Sequence, residues 1–460
     1  MACYKSQFVF RHWCRPSLPA AGFPRPNLLR GRGIRILSGM CGKFPALLPL
    51  LLLLAPVRLA GQDAPRDKAQ RIDQVVSHYQ KLGYFNGAIL VADGGQVIYS
   101  SGAGKANFDY DIPNVPSTKF GIASITKQFT ALLILQQVAE NKIALQGKLS
   151  DYLPWYRKDT GSRMTIEQLL HHTSGLPPDF DSPEFNATSE ATRRYEHREF
   201  AEKFCQPALP AEPGKKWEYS NCGYNLLGLV LEHVTGKSFN DLLHQRILSP
   251  LGMKDSGMDQ NDLAQLDGAT GYLRHAGPRY TRGAFIDRIH GFSSGSMYST
   301  VEDLYRWNQA LTSGEFVSKE LREQIFLPVL HDWGYGWFIT KIPAGQPGAG
   351  NTIAEMRGDM PENFFAWSLR YPERNAIIIT LRNVYGSTEG LEQNIQAILF
   401  DAEPRLPSRS LPDIAARFWL VLAPWMASHV APFVLLVLLA VAAIWFAARG
   451  KRRTSPSVSR

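Results

Sequence analysis

The first 62 residues contain no aspartate or glutamate, although they carry nine basic residues: Lys5, Arg11, Arg15, Arg25, Arg30, Arg32, Arg35, Lys43 and Arg58. The last twelve positions, 449–460, are equally free of acid and add Arg449, Lys451, Arg452, Arg453 and Arg460. Setting these two ends aside takes the net charge of +9 to about −5 for residues 63–448. The basic balance belongs to the ends, so the body has no electrostatic footprint for nucleic acid. Cysteine is equally scarce. Of five, only Cys205 and Cys222 lie in the body, which excludes a disulfide-built scaffold. No Cys or His cluster has ligand spacing, so neither a metal nor a cofactor is expected. Repeats and low-complexity tracts are absent. What remains is a chain of 460 residues with ordinary globular composition, long enough to bury a full core.

The acid-free ends read as targeting and anchoring segments. From Met40, "MCGKFPALLPLLLLLAPVRLAG" has a basic start, an apolar stretch from Phe44 to Val57, and small residues at Ala60 and Gly61. That is the layout of a signal peptide over 40–61, with 1–39 an over-called start. An Arg-rich organellar transit peptide is the rival, against which the dense leucine block argues. Val430 to Ala448 is uncharged. As a helix its nineteen residues reach ~28 Å, close to the thickness of a hydrocarbon core. It runs into "RGKRR", a cytoplasmic stop under the positive-inside rule. The expected topology is a single-pass plasma-membrane protein: body on the periplasmic or extracellular side, basic tail 449–460 inside. An export route permits a disulfide between Cys205 and Cys222.

Between the ends, residues 66–401 form one expected domain. Helical periodicity over 66–83 precedes two strands around Asp93-Gly94-Gly95. A long helix is expected from Ser124 to Glu140, then helical stretches near 165–172, 223–235, 239–248 and 302–313. Strand-like runs return at 335–341, 352–357, 364–371 and 376–382, before a helix at 388–400. Strands at both ends with helices between imply an α+β fold: an antiparallel sheet flanked by helices and interrupted by a mostly helical region. Residues 402–429 read as a linker and membrane-proximal segment.

Two motifs carry chemistry. In Ser124-Ile125-Thr126-Lys127, positions i and i+3 share a helix face. A serine at the helix start sits where free N–H groups favour developing negative charge. The following "FTALLILQQVA" is apolar nearly all round, so Lys127 is expected to be buried, where an amine can take a proton from Ser124. In Tyr219-Ser220-Asn221, a phenol can shuttle a proton and an amide can hold a substrate carbonyl. Each motif alone also fits a bland reading, as a capping serine with a surface lysine and a core tyrosine with a turn asparagine. Trp217 and Tyr224 flank the second motif as cleft wall or core packing. His171 and His172 are adjacent and do not face one metal ligand position. Asn186-Ala187-Thr188 fits a glycosylation acceptor in a eukaryotic secretory route.

Order and context decide between these readings. With "LLHHTSGLP" (169–177), "EPG" (212–214), "SPLGMKDSGM" (249–258), "SSGSMYSTVEDLYRW" (293–307) and "GYGW" (334–337), the chain resembles the serine β-lactamase and penicillin-binding-protein superfamily. The likeness is to its class C-like, D-alanyl-D-alanine carboxypeptidase-like branch and covers about residues 70–400. The resemblance implies Ser124 as acylated nucleophile, Lys127 as proton acceptor and Tyr219 as the partner that protonates the leaving group. Asn221 would orient the substrate, and the Ser124 N–H would form half of an oxyanion hole.

A third family motif departs from the pattern. Where relatives carry Lys or His, a small residue and Gly, this chain has Met356-Arg357-Gly358-Asp359. Gly358 still permits close approach, and the Asp359 N–H would complete the oxyanion hole. Arg357 is one position along, and neighbouring strand residues point to opposite faces. If it reaches the site it suits a substrate carboxylate. The expectation is a serine hydrolase acting on a small-molecule, peptide, ester or β-lactam-like substrate. The alternative is a catalytically weak penicillin-recognising or sensing protein of the same fold.

Overall fold

The computed structural model describes residues 64–178, 188–275, 279–314, 316–385 and 390–408. The expected signal peptide, membrane span, basic tail and Asn186 acceptor lie outside the described residues. So does the linker beyond residue 408. Among the described residues no helix is long and apolar enough to cross a membrane.

Helix α1 (Ala64–Lys81) leads into strands β1 (Gly87–Asp93) and β2 (Gln96–Ala103), turned at Gly94 and Gly95 with φ of 59° and 76°. The helical region follows, with α2 (Thr126–Ala139), α3 (Asn221–Thr235) and α4 (Val301–Ser313) as its longest pieces. The chain then returns to the sheet as β3 (Phe338–Lys341), β4 (Thr352–Met360), β5 (Phe364–Tyr371) and β6 (Ala376–Arg382), and closes with α5 (Leu391–Leu399). The sheet order is β3-β4-β5-β6-β1-β2, antiparallel throughout. The α+β plan read from the sequence is the plan observed. The differences are local, such as the strand expected over 352–357, which runs on to Met360. The run expected as strand over 335–341 begins only at Phe338, because Gly336 takes φ 78° in a turn. The helix expected from Ser124 begins as a separate turn, described below.

The alternation of side chains along a strand divides the core in two. Ile89, Val91, Trp367, Leu369, Tyr371 and Ile378 pack under α1 and α5, against Ile72, Val75, Val76, Leu391 and Ile395. Ala88, Leu90, Ala92, Ala354, Met356, Ala366, Ile377, Ile379 and Leu381 face the helical region, against Phe129, Leu132 and Trp307. The Ser124 and Tyr219 motifs lie on this second face. Helix α2 is buried along nearly its whole length, as its apolar sequence demands.

Beneath α5, Glu392 accepts from Thr380 Oγ1 at 2.6 Å and pairs with Arg382, both side chains being almost wholly buried. Replacing the carboxylate strands a buried guanidinium. Glu392→Leu is expected to cost about 3–5 kcal/mol of stability, read from urea unfolding of the purified domain.

Candidate active site

Ser124 does not sit in the first turn of an α-helix. It is the middle residue of a 3₁₀ turn, Ala123–Ile125, that leads into α2. The turn is entered through Ala123 at φ 44°, a left-handed conformation that costs a residue with a Cβ about 1–2 kcal/mol. Neighbouring contacts hold it there. Ile122 N donates to Met297 O at 2.9 Å, Thr126 Oγ1 donates to Ala123 O at 2.7 Å, and Met297 N donates to Thr126 Oγ1 at 3.2 Å. The outcome is a half-exposed Ser124 between buried Ala123 and Ile125.

Lys127, one turn on, is fully buried. Its Nζ donates to Ser124 Oγ at 3.0 Å, Asn221 Oδ1 at 2.7 Å and Ser294 O at 2.8 Å. Three acceptors match the three protons of an ammonium, and none of the three is formally charged. Ser294 comes from the "SSGSM" segment, which Thr130 also grips through Ser293 O at 2.6 Å. Tyr219 reaches Ser124 from the other side, its Oη donating to Oγ at 2.7 Å. Lys127 Nζ lies 4.8 Å from the centre of the Tyr219 ring. The serine oxygen therefore accepts from an amine and a phenol at once. Removing a proton from either reverses that bond and makes the serine the donor, which is the step a nucleophilic serine requires.

Tyr219 and Asn221 owe their places to the start of α3. Ser220 caps that helix, its side chain accepting from Gly223 N at 3.2 Å. Cys222 in the first turn is bonded to Cys205, the disulfide that an export route permits. Tyr224 lies in the core, its Oη donating to Leu170 O at 2.9 Å, and burial pushes its phenol well up. Trp217 is half-buried beside His331, Phe338 and Trp333, with ring centres 5.1, 6.2 and 6.3 Å away. His171 and His172 are buried separately. His171 packs on Tyr335 at 4.6 Å, and His172 on Tyr219 at 4.4 Å. Among the described residues no group of three His, Cys, Asp or Glu could hold a metal.

The third motif runs beside the nucleophile. A Cβ built on Gly358 would stand 2.0 Å from Ile122 O and 3.2 Å from the Ala123 Cβ, so β4 abuts the turn that carries Ser124 only because position 358 is glycine. Met356, where the resemblance leads one to expect a cation, is buried in the apolar core. Arg357 is a correction to the expected substrate-binding set. Its guanidinium stacks on Trp367 at 3.9 Å, on the sheet face covered by α1 and α5. Strand alternation sends the Asp359 side chain to that face too, where it is exposed, so only its backbone stays with the Gly358 edge. The structure thus unites Ser124, Lys127, Tyr219, Asn221 and Gly358, and leaves Arg357 out. The Ser294 carbonyl is the participant that sequence reasoning missed. Its segment stood out, but a carbonyl has no residue signature.

Gly358→Ala must push β4 away from the Ser124 turn. The expected result is a loss of acylation rate of about 10²–10³, the size of one lost oxyanion donor, with the fold retained. Active-site titration with circular dichroism checks it. A second prediction concerns acid. Burial holds His171, His172, His197 and His290 below the usual imidazole range, His197 down to about 4. Below the ordinary value of 6.5 the unfolded chain binds protons that the fold refuses, so the stability each neutral ring contributes above that pH is lost as pH falls toward its folded value. His197 stacks on Phe292 at 3.6 Å. His197→Phe should therefore gain Tm relative to wild type from about pH 6.5 down to about pH 4, with a constant difference above about pH 7.

Comparison with known proteins gives the family and the fold. The beta-lactamase family matches residues 72–403. Protein flp of Staphylococcus aureus (strain MW2) is 29% identical over 331 residues, covering 69% of this chain, and the chain spans 64% of that relative's length. A penicillin-binding protein from Bacillus halodurans superposes with a TM-score of 0.61 at 27% identity, over 71% of this chain and 97% of that one. The D-amino acid amidase of Ochrobactrum anthropi SV3 shares the fold, with a TM-score of 0.61 at 22% identity over 73% of this chain and 96% of that one. With Ser124, Lys127 and Tyr219 drawn together on such a scaffold, the chain belongs to the beta-lactamase family, within the serine β-lactamase and penicillin-binding-protein superfamily.

Proposed function

We propose that the chain is a serine hydrolase working through an acyl-enzyme on Ser124, with a peptide, ester or β-lactam-like substrate. One observation carries the reading: Ser124 Oγ lies 3.0 Å from Lys127 Nζ and 2.7 Å from Tyr219 Oη. Ser124 Oγ attacks the substrate carbonyl as its proton passes to whichever partner has given up its own, the neutral amine of Lys127 or the phenolate of Tyr219. The carbonyl oxygen becomes an oxyanion, received by the Ser124 and Asp359 N–H groups on either side of the Gly358 contact. Collapse breaks the bond to the leaving group, which takes a proton from Tyr219, and water then cleaves the acyl ester. Asn221 gives its carbonyl oxygen to Lys127, leaving the amide nitrogen for the substrate. The likeness to a D-amino acid amidase supports amides within this range. The anchor-like segment 430–448 and the Cys205–Cys222 bridge support a place outside the plasma membrane.

The burial of Met356 and the stacking of Arg357 on Trp367 favour a second reading. With no cation supplied at that position, the site would acylate and turn over slowly, as a penicillin-recognising sensor does. The two readings differ in turnovers per site.

A fluorophosphonate or a penicillin-type probe is expected to label the wild type once per chain, by intact mass. Ser124→Ala should abolish both labelling and ester hydrolysis. Undiminished hydrolysis in that variant would remove the proposal. In burst kinetics on an activated ester, continued turnover after the burst selects the hydrolase, and a burst without turnover selects the sensor.

A further inference from the structure

Among Ser124, Lys127, Tyr219 and Asn221, Tyr219 alone lies outside a helix or helical turn. It precedes α3 in an irregular segment, so something must fix its main chain. Both of its neighbours are fastened to a single residue. Glu218 N donates to His172 O at 2.8 Å, and Ser220 N donates to His172 Nδ1 at 3.2 Å. The His172 ring then packs against the Tyr219 ring at 4.4 Å, and against Trp333 at 4.6 Å and Tyr224 at 5.1 Å. His172 is buried, and its φ of 56° is left-handed, a state uncommon outside glycine and best tolerated by Asn, Asp and His. It follows the short helix Ile166–Leu170 and its capping residue His171. In that turn, carbonyl and ring of one residue reach the same stretch of chain.

We infer that His172 is a positioning residue for acylation: its carbonyl and its Nδ1 clamp the main chain on either side of Tyr219 and hold the phenol oxygen on Ser124 Oγ. Because Nδ1 accepts from a backbone N–H, the single proton of the neutral ring sits on Nε2. Burial keeps the ring neutral, holding it well below the usual imidazole range. His172 need not touch substrate. Its effect passes through the phenol, where a displacement of about 1 Å can cost about 10²-fold in rate.

The inference rests on the acyl-enzyme reading, and its test separates the two. Absence of any Ser124 adduct in wild type would defeat that reading, whereas the comparison below concerns only variants of a protein that labels. His172→Phe keeps a buried ring and removes the acceptor. His172→Asn removes the ring, keeps an acceptor oxygen at similar reach, and tolerates the left-handed backbone. The rate of fluorophosphonate labelling is measured per folded molecule, together with kcat and KM on an activated ester. His172→Phe is expected to slow labelling and kcat by about 10–100-fold with KM changed less than about threefold, and His172→Asn to recover to within about fivefold of wild type. In a Tyr219→Phe background, His172→Phe should cost less than about threefold more. Wild-type labelling by His172→Phe, no recovery in His172→Asn, or a full multiplicative loss in the Tyr219→Phe background would each overturn the inference.

Discussion

The burial of one amine organises this molecule. An amino group taken out of water is tolerable only where polar partners replace its hydration, and Lys127 finds them in three separate segments of chain. Ser124 is delivered by the turn before its own helix, Asn221 by the start of α3, and the Ser294 carbonyl by the one-turn helix Phe292–Gly295, whose segment α2 grips through Thr130 and Thr126. Most of the local structure near the site serves those deliveries. The left-handed Ala123 and the missing Cβ at Gly358 are each unfavourable alone, while the Ser220 cap is a favoured helix start. Each makes sense once the amine must meet its partners.

Much of this was legible in the sequence, for identifiable reasons. The i and i+3 relation of Ser124 and Lys127 is fixed by helical geometry, and the apolar run after them announced a buried lysine. Strand pattern and turn residues placed four of the six sheet strands closely; Gly336 shortens β3 by three residues, and β4 runs three residues further, to Met360. Bringing Tyr219 and Asn221 to Ser124 was not readable from spacing, since 95 positions separate the two hydroxyls. That convergence came from the family likeness. The roles of backbone atoms stayed hidden, because the Ser294 carbonyl and the His172 carbonyl look like any other in a sequence.

The third motif shows why position within a strand matters more than residue type. Arg357 supplies the charge that Met356 lacks, yet a shift of one residue moves it through the sheet, where Trp367 and the α1 and α5 layer receive it. Met356 instead joins the core with Ala354 and Ala366. Neither residue brings a charge to the cleft. The family scaffold persists with a glycine edge intact and an uncharged neighbour.

The bridge between Cys205 and Cys222 lies beside the site. Cys222 follows Asn221 directly, so the covalent tie and the amide that meets Lys127 ride on one helical turn. Thiol oxidation state and active-site geometry are thereby mechanically linked. A chain whose sulfurs are reduced retains every catalytic group but secures that turn with hydrogen bonds and packing alone.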